Sequence, residues 1–123
     1  MVKQGSIIRT NFDPTRGHEQ SGFRPALVIS DDIFTDLSNL TLVCPITNSI
    51  RNSSLRIALC EGLLTTGYVM IDQVRAVDLK SRRFTVVERV PKELALEVSE
   101  VLKGSIHIGN DYDEDEEEIE DIG

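Results

Sequence analysis

The sequence predicts a mainly β fold with one C-terminal α-helix, a small antiparallel barrel with the helix packed against it, and three features carry that prediction. Short apolar stretches rich in Val, Ile and Leu recur at close intervals, separated by turn chemistry such as Asp13-Pro14-Thr15-Arg16-Gly17, Glu61-Gly62 and Thr66-Gly67. Only after Pro91 does the apolar period change to that of a helix. At 123 residues the chain is large enough to bury a single core without disulfides or metal.

Ser6 to Phe12 alternates loosely and reads as the first strand. Arg24 to Ser30 is the second. Pro25 pushes Arg24 away from helical angles, so Arg24 is expected to be extended at the mouth of that strand. The continuous run Ala26-Leu27-Val28-Ile29 suits a central strand buried on both faces. Leu40 to Ile46 is the third strand, with Pro45 pointing to an edge or a bulge near its end. Polar Thr47 to Ser54 follows as a loop. Leu55 to Cys60, Tyr68 to Ile71 and Phe84 to Val90 complete the strands. Pro91 suits a first helical position, and Leu94, Val98, Val101, Leu102 and Ile106 repeat at helical spacing down to Gly109.

The formal charge of -8 is unevenly spread. Nine of the 21 acidic residues, and none of the 13 basic ones, lie in residues 111–123, which leaves 13 basic against 12 acidic side chains in residues 1–110. The expected organisation is therefore a folded domain over 1–110 and an acidic, disordered tail over 111–123 with almost nothing to bury. A near-neutral body still has room for a basic groove, so the acidic balance does not exclude a nucleic-acid partner. No apolar run approaches the roughly 20 residues needed to span a bilayer, and the start leads into a strand, not a signal-peptide core. A cytoplasmic protein with no membrane association is expected. Cys44 and Cys60 are expected as buried free thiols in a reducing compartment. Together with His18 and His107 they fall at no zinc-site spacing, so no metal and no cofactor are implied.

No Gly-x-Ser-x-Gly elbow, Gly-rich phosphate loop or catalytic triad is present. The long stretch Asp13-Pro14-Thr15-Arg16-Gly17-His18-Glu19-Gln20-Ser21-Gly22-Phe23-Arg24-Pro25-Ala26-Leu27-Val28-Ile29-Ser30 resembles the signature of the MazF/PemK (Kid) toxin family. The resemblance continues through Cys44-Pro45-Ile46-Thr47, Thr65-Thr66-Gly67-Tyr68-Val69, Asp72-Gln73-Val74-Arg75 and Val90-Pro91, in the family's order, up to about Ile108.

The resemblance implies an SH3-like or CcdB-like barrel that forms a homodimer and cuts single-stranded RNA, including mRNA, at short sequences without a metal. It also implies inhibition by a cognate antitoxin, through which alone the protein reaches operator DNA. Arg24 and Thr47 fall on the family's two catalytic positions. The family's products, a 2',3'-cyclic phosphate and a 5'-hydroxyl, mean that the RNA's own 2'-hydroxyl is the nucleophile, which excludes DNA as substrate. A guanidinium is almost never a free base, yet its planar fork suits two phosphate oxygens. Thr47 donates to the same phosphate, so the two form a charge-stabilising pair.

Proton transfer then falls to other groups, with His18, Glu19 and Asp72 as candidates; each also reads as an ordinary loop or structural residue. In the Kid branch an aspartate matching Asp72 serves as base and an arginine two residues before it as acid. Met70 holds that second place here, so the scheme does not transfer whole and the residues assign no general base. Glu19, Gln20, Asn48, Arg51 and Gln73 are candidate substrate contacts, with Gln73 the preferred base reader because its amide both donates and accepts.

Two other readings stand beside this one. A CcdB-like toxin binds gyrase without catalysis, but that activity depends on a C-terminal Trp-Gly-Ile end, and this chain has no Trp. A catalytically silent binding or repressor module is the second, against which both Arg24 and Thr47 count. The acidic tail reads first as a solubilising appendage; with Tyr112, Ile119 and Ile122 among its carboxylates it also has the composition of an antitoxin's inhibitory segment, which offers competition with RNA in cis as a second reading.

Overall fold

Apolar alternation and turn chemistry produce strands close to the predicted ones. The computed structural model describes residues 2–12, 22–49, 55–109 and 111–112. Strand β1 (Ser6–Asn11) pairs antiparallel with β2 (Phe23–Val28), which in turn pairs with β3 (Thr41–Thr47). Strand β4 (Arg56–Ala58) pairs with β5 (Tyr68–Met70), and β5 with the end of β3. Strand β6 (Arg75–Val77) pairs with the beginning of β3, and β7 (Phe84–Arg89) lies on the free edge of β1. The sheet therefore runs β4-β5-β3-β2-β1-β7 with β6 as a branch on β3, and every pairing is antiparallel. The mainly β class with a terminal helix is as the sequence predicts.

The continuous apolar run in β2 is explained by its central place. Leu27 enters one core with Ile7, Cys44, Ile46, Val69 and Ile71, whereas Ala26 and Val28 enter a second core with Ile8, Val43, Val77 and Leu79. Successive side chains point to opposite faces of a strand, so a strand covered on both sides has no polar position to spare.

Helix α1 (Asp32–Ser38) and strand β6 have no counterpart in the sequence prediction. The helix is only seven residues long and buries none of them, so it has no apolar stripe to read. Its ends are nevertheless chemically marked. The Asp31 carboxylate accepts from the Phe34 amide at 3.1 Å, and Asn39 takes the left-handed conformation at φ 63° as it caps the other end.

Helix α2 (Lys92–Ser105) buries Leu94 and Val98 in the first core, with Ala95, Val101 and Leu102 packed partly against it. Two details depart from the prediction. Pro91 is the N-cap, extended at ψ 151°, and its carbonyl accepts from the Leu94 and Ala95 amides. Ile106 lies past the last helical turn and is exposed, so the apolar stripe ends at Leu102.

Pro45 is a third correction, since β3 is neither an edge strand nor bulged there. Its pairing with β6 reaches only Val43 and its pairing with β5 starts at Ile46, while on the opposite edge Pro45 faces Ala26. A residue without an amide proton is tolerated in a central strand where that strand changes partners. The cysteines are a fourth: both are free, but Cys44 is buried and Cys60 exposed. No helix among the described residues is long and apolar enough to cross a membrane.

Candidate active site

The site begins where two central strands part. Pairing of β2 with β3 ends at Ala26 opposite Pro45, and Pro25 and Pro45 both lack an amide donor with which to continue it. Phe23, Arg24 and Pro25 from β2 and Ile46 and Thr47 from β3 then line an open cleft of about 790 Å3. Arg24 and Thr47 are thus brought to one cavity, as the sequence predicts, and Asn48 joins them there. Arg24 is exposed, and its guanidinium has no hydrogen-bond or ion-pair partner among the described residues.

Sequence reasoning missed Arg9. It lies on β1 opposite Pro25, lines the same cleft, and donates from Nη2 to the Phe23 carbonyl at 3.2 Å. The remaining guanidinium donors leave it able to take an anion beside Arg24. Its only sequence signal is a charge in an otherwise buried first strand, Ser6-Ile7-Ile8-Arg9-Thr10. No Asp or Glu side chain lines the cleft among the described residues, so its ionised groups are both cations.

Thr47 is held by several contacts at the end of β3. Its Oγ1 accepts from the Ser49 amide at 3.1 Å, which leaves the hydroxyl proton free to be donated to a ligand. The Ser49 carbonyl accepts from Arg56 Nη1 at 2.7 Å, and Thr66 Oγ1 donates to Asn48 Oδ1 at 3.1 Å. Gly67, at φ 121°, packs so closely that a Cβ there would lie 2.5 Å from the Thr47 carbonyl oxygen. Only glycine combines that conformation with that approach.

Met70 also lines the cleft, so an apolar thioether stands in its wall at the place where the resemblance led one to look for an acid. Asp72 and Gln73 do not line it. Both are exposed in a 3-10 turn, Ile71–Gln73, that follows β5. Burial, with a smaller contribution from the Asp72 charge, pushes the Cys44 thiol up to about 12, so Cys44 is a packed thiol and not a nucleophile. His18, Glu19, Gln20 and Arg51 lie outside the described residues. No group of three or more His, Cys, Asp or Glu side chains placed to hold a metal occurs among the described residues.

The chain is similar to several known proteins. It is 38% identical over 101 residues to endoribonuclease PemK of Escherichia coli, covering 79% of this chain and 76% of that one. It is also 38% identical over 109 residues to the endoribonuclease toxin ChpB of Escherichia coli K12, covering 85% and 87%. Among solved structures, a MazE-MazF crystal structure from Deinococcus radiodurans matches with a TM-score of 0.76 at 28% identity, covering 88% of this chain and 98% of that one. The family described as PemK-like, MazF-like toxin of type II toxin-antitoxin system matches residues 3–106. The chain therefore belongs to the PemK-like, MazF-like toxin family.

Proposed function

We propose that this protein is an endoribonuclease toxin that cleaves single-stranded RNA in the cytoplasm and is inhibited by a cognate antitoxin. The observation that carries the reading is the meeting of Arg24 and Thr47, from different strands, in one cleft whose ionised side chains among the described residues are cationic. Its support from relatives is that PemK and ChpB are named endoribonucleases and that a MazF neighbour was crystallised with MazE.

In the proposed reaction the 2'-oxygen of the RNA attacks the adjacent phosphorus as the bond from phosphorus to the 5'-oxygen breaks. The 2'-hydroxyl loses its proton and the departing 5'-oxygen gains one, leaving a 2',3'-cyclic phosphate and a 5'-hydroxyl. Arg24, assisted by Arg9, stabilises the charge that grows on the phosphoryl oxygens, and Thr47 donates to the same group. Asn48 contacts the neighbouring nucleotide, and Gln20, Arg51 and Gln73 extend the binding surface along the strand. The proton carriers are sought among His18, Glu19 and Asp72. With the nucleophile supplied by the substrate, the scheme needs no metal-bound water.

The active assembly in this reading is a homodimer, because Ile33, Leu37, Val86 and Leu96 leave apolar surface without cover in the isolated chain. A monomer by light scattering at micromolar concentration would remove that part of the reading. Cleavage of a long single-stranded transcript in EDTA tests the chemistry. Arg24→Ala is expected to slow it by about two to three orders of magnitude, the scale of losing one preorganised charge stabiliser. Arg24→Lys rescues little, since the two-pronged fork is lost. Strict dependence on added Mg2+ would overturn the metal-free scheme, and an Arg24→Ala variant with more than about half the activity would overturn the place given to Arg24.

A further inference from the structure

Glu88 lies outside the predicted machinery, yet its carboxylate reaches from β7 to the cleft wall. Oε1 accepts from the Leu64 amide at 2.9 Å and Oε2 from the Thr65 amide at 2.8 Å. Such bonds from backbone donors to an ionised acceptor are among the stronger neutral-to-charged kind. The β7 backbone contributes to this reach. Opposite Ile7 and Ile8, β7 presents Glu88 and Val86, so Val87 is an extra residue without a partner in the register. A bulge of this sort re-aims the side chains beside it. Val87 itself faces the cleft and the first core.

The segment that Glu88 holds connects β4 to β5 and supplies Leu64, Thr65 and Thr66 to the cleft. Leu64 is 81% exposed, so packing does not fix it. Its place is set by the backbone, and the Leu64 and Thr65 amides are both taken by one carboxylate. At the far end of the segment Thr66 bonds Asn48, and Gly67 abuts the Thr47 carbonyl. The wall is therefore tied to β7 at one end and to the residues around Thr47 at the other.

The state of the carboxylate fits a clamp better than a proton carrier. Burial works against its charged form, but the backbone amide of Leu64 and the hydroxyl and amide of Thr65 more than offset this and hold Glu88 below the usual glutamate range. A base for a sugar hydroxyl near neutral pH calls for the opposite shift.

We propose that Glu88 is a positioning residue of the cleft, holding the wall formed by Leu64, Thr65 and Thr66 so that it selects the nucleotide beside the cleaved phosphate. The inference rests on the endoribonuclease reading of the same cleft. It assigns to the wall an apolar contact, Leu64, beside the hydroxyls of Thr65 and Thr66, whose oxygens still accept while their protons go to Glu88 and Asn48, a combination that suits a base lying flat on an aliphatic side chain with a donor edge toward those oxygens.

The test uses the full chain with Glu88→Ala, Glu88→Gln and Thr66→Val, the last cutting the other tie of the wall at an exposed side chain. Cleavage of one long transcript is followed in EDTA, with mapping of every 5' end, steady-state kinetics at the preferred site, thermal melting and amide hydrogen exchange over residues 61–67. Glu88→Ala is expected to raise KM more than it lowers kcat and to cost about ten- to a hundredfold in kcat/KM, the scale of a lost hydrogen bond to a charged group. Glu88→Gln, which keeps one good acceptor, recovers part of the loss. Thr66→Val moves the site pattern in the same direction. All three broaden the set of cleaved sites, a change that loss of stability alone does not produce, and Glu88→Ala speeds exchange at residues 64 and 65. Unchanged site usage and KM in folded Glu88→Ala and Thr66→Val proteins would sink the inference, as would unchanged exchange at those two amides. If the unaltered protein cuts no RNA the reading beneath it fails instead, and the two failures are thereby told apart.

Discussion

Gly67 shows how a single residue disciplines the site. At φ 121° any side chain is strained, and a Cβ would meet backbone, the Thr47 carbonyl, which has no soft rotamer with which to yield. Gly67→Ala is therefore expected to cost about 1–3 kcal/mol of stability through strain. It is also expected to move Thr47, and in the role proposed for Thr47 a shift of about 1 Å is enough to slow a reaction by roughly a hundredfold. Thermal melting and cleavage kinetics check the two effects separately; a variant with the activity of the parent would mean that the contact with Thr47 is immaterial. The neighbouring sequence Thr65-Thr66-Gly67 marks a turn in the sequence, but the reason for its glycine is a strand end from a distant part of the chain.

At the scale of elements, the cleft owes its existence to an interrupted strand pair, and helix α2 closes the core that Ile46 shares behind it. Proline in β2 and in β3 stops the ladder at Ala26, and the freed strand ends carry Arg24 and Thr47. The side chains of α2 keep those strands in register by filling the core that Leu27, Cys44 and Ile46 share. Leu94→Ala is expected to destabilise the fold by about 2–5 kcal/mol, the range for emptying a buried leucine site. Leu96→Ala, on the exposed face of the same helix, is expected to change the stability of the isolated chain by no more than about 0.5 kcal/mol. Urea unfolding of the two variants at low protein concentration makes the comparison. Similar losses at both positions would show that Leu96 is covered in the assembled protein, which supports the dimer and corrects the view of that helix face as solvent.

Over the whole molecule the charge is divided between a nearly neutral body and an acidic end. Residues 113–123 lie outside the described residues. Carboxylates tethered to a domain whose cleft holds Arg9 and Arg24 compete with RNA phosphates for the same cations. Each exposed pair is worth only about 0.2–1 kcal/mol and is screened by salt. A chain ending at Asn110 is therefore expected to bind RNA more tightly than the full chain at low salt, with the two converging as salt rises. Superimposable binding curves would leave the tail without a role in RNA competition.

By itself the sequence determined the β class, the two-faced burial of Ala26-Leu27-Val28 and the terminal helix, because periodicity is a property of neighbouring residues; the resemblance pointed to Arg24 and Thr47, and the structure lines one cleft with both. The sequence also placed Met70 where the resemblance implies an acid. Tertiary structure alone decided the rest. Helix α1 and strand β6 are too short to leave a period. The tolerance of Pro45 depends on where β3 exchanges partners, and the unlike fates of Cys44 and Cys60 on which of them a second layer covers. Arg9 and Glu88 became site residues only when β1 and β7 were laid beside β2 and the β4–β5 connection, a proximity that no spacing along the chain records.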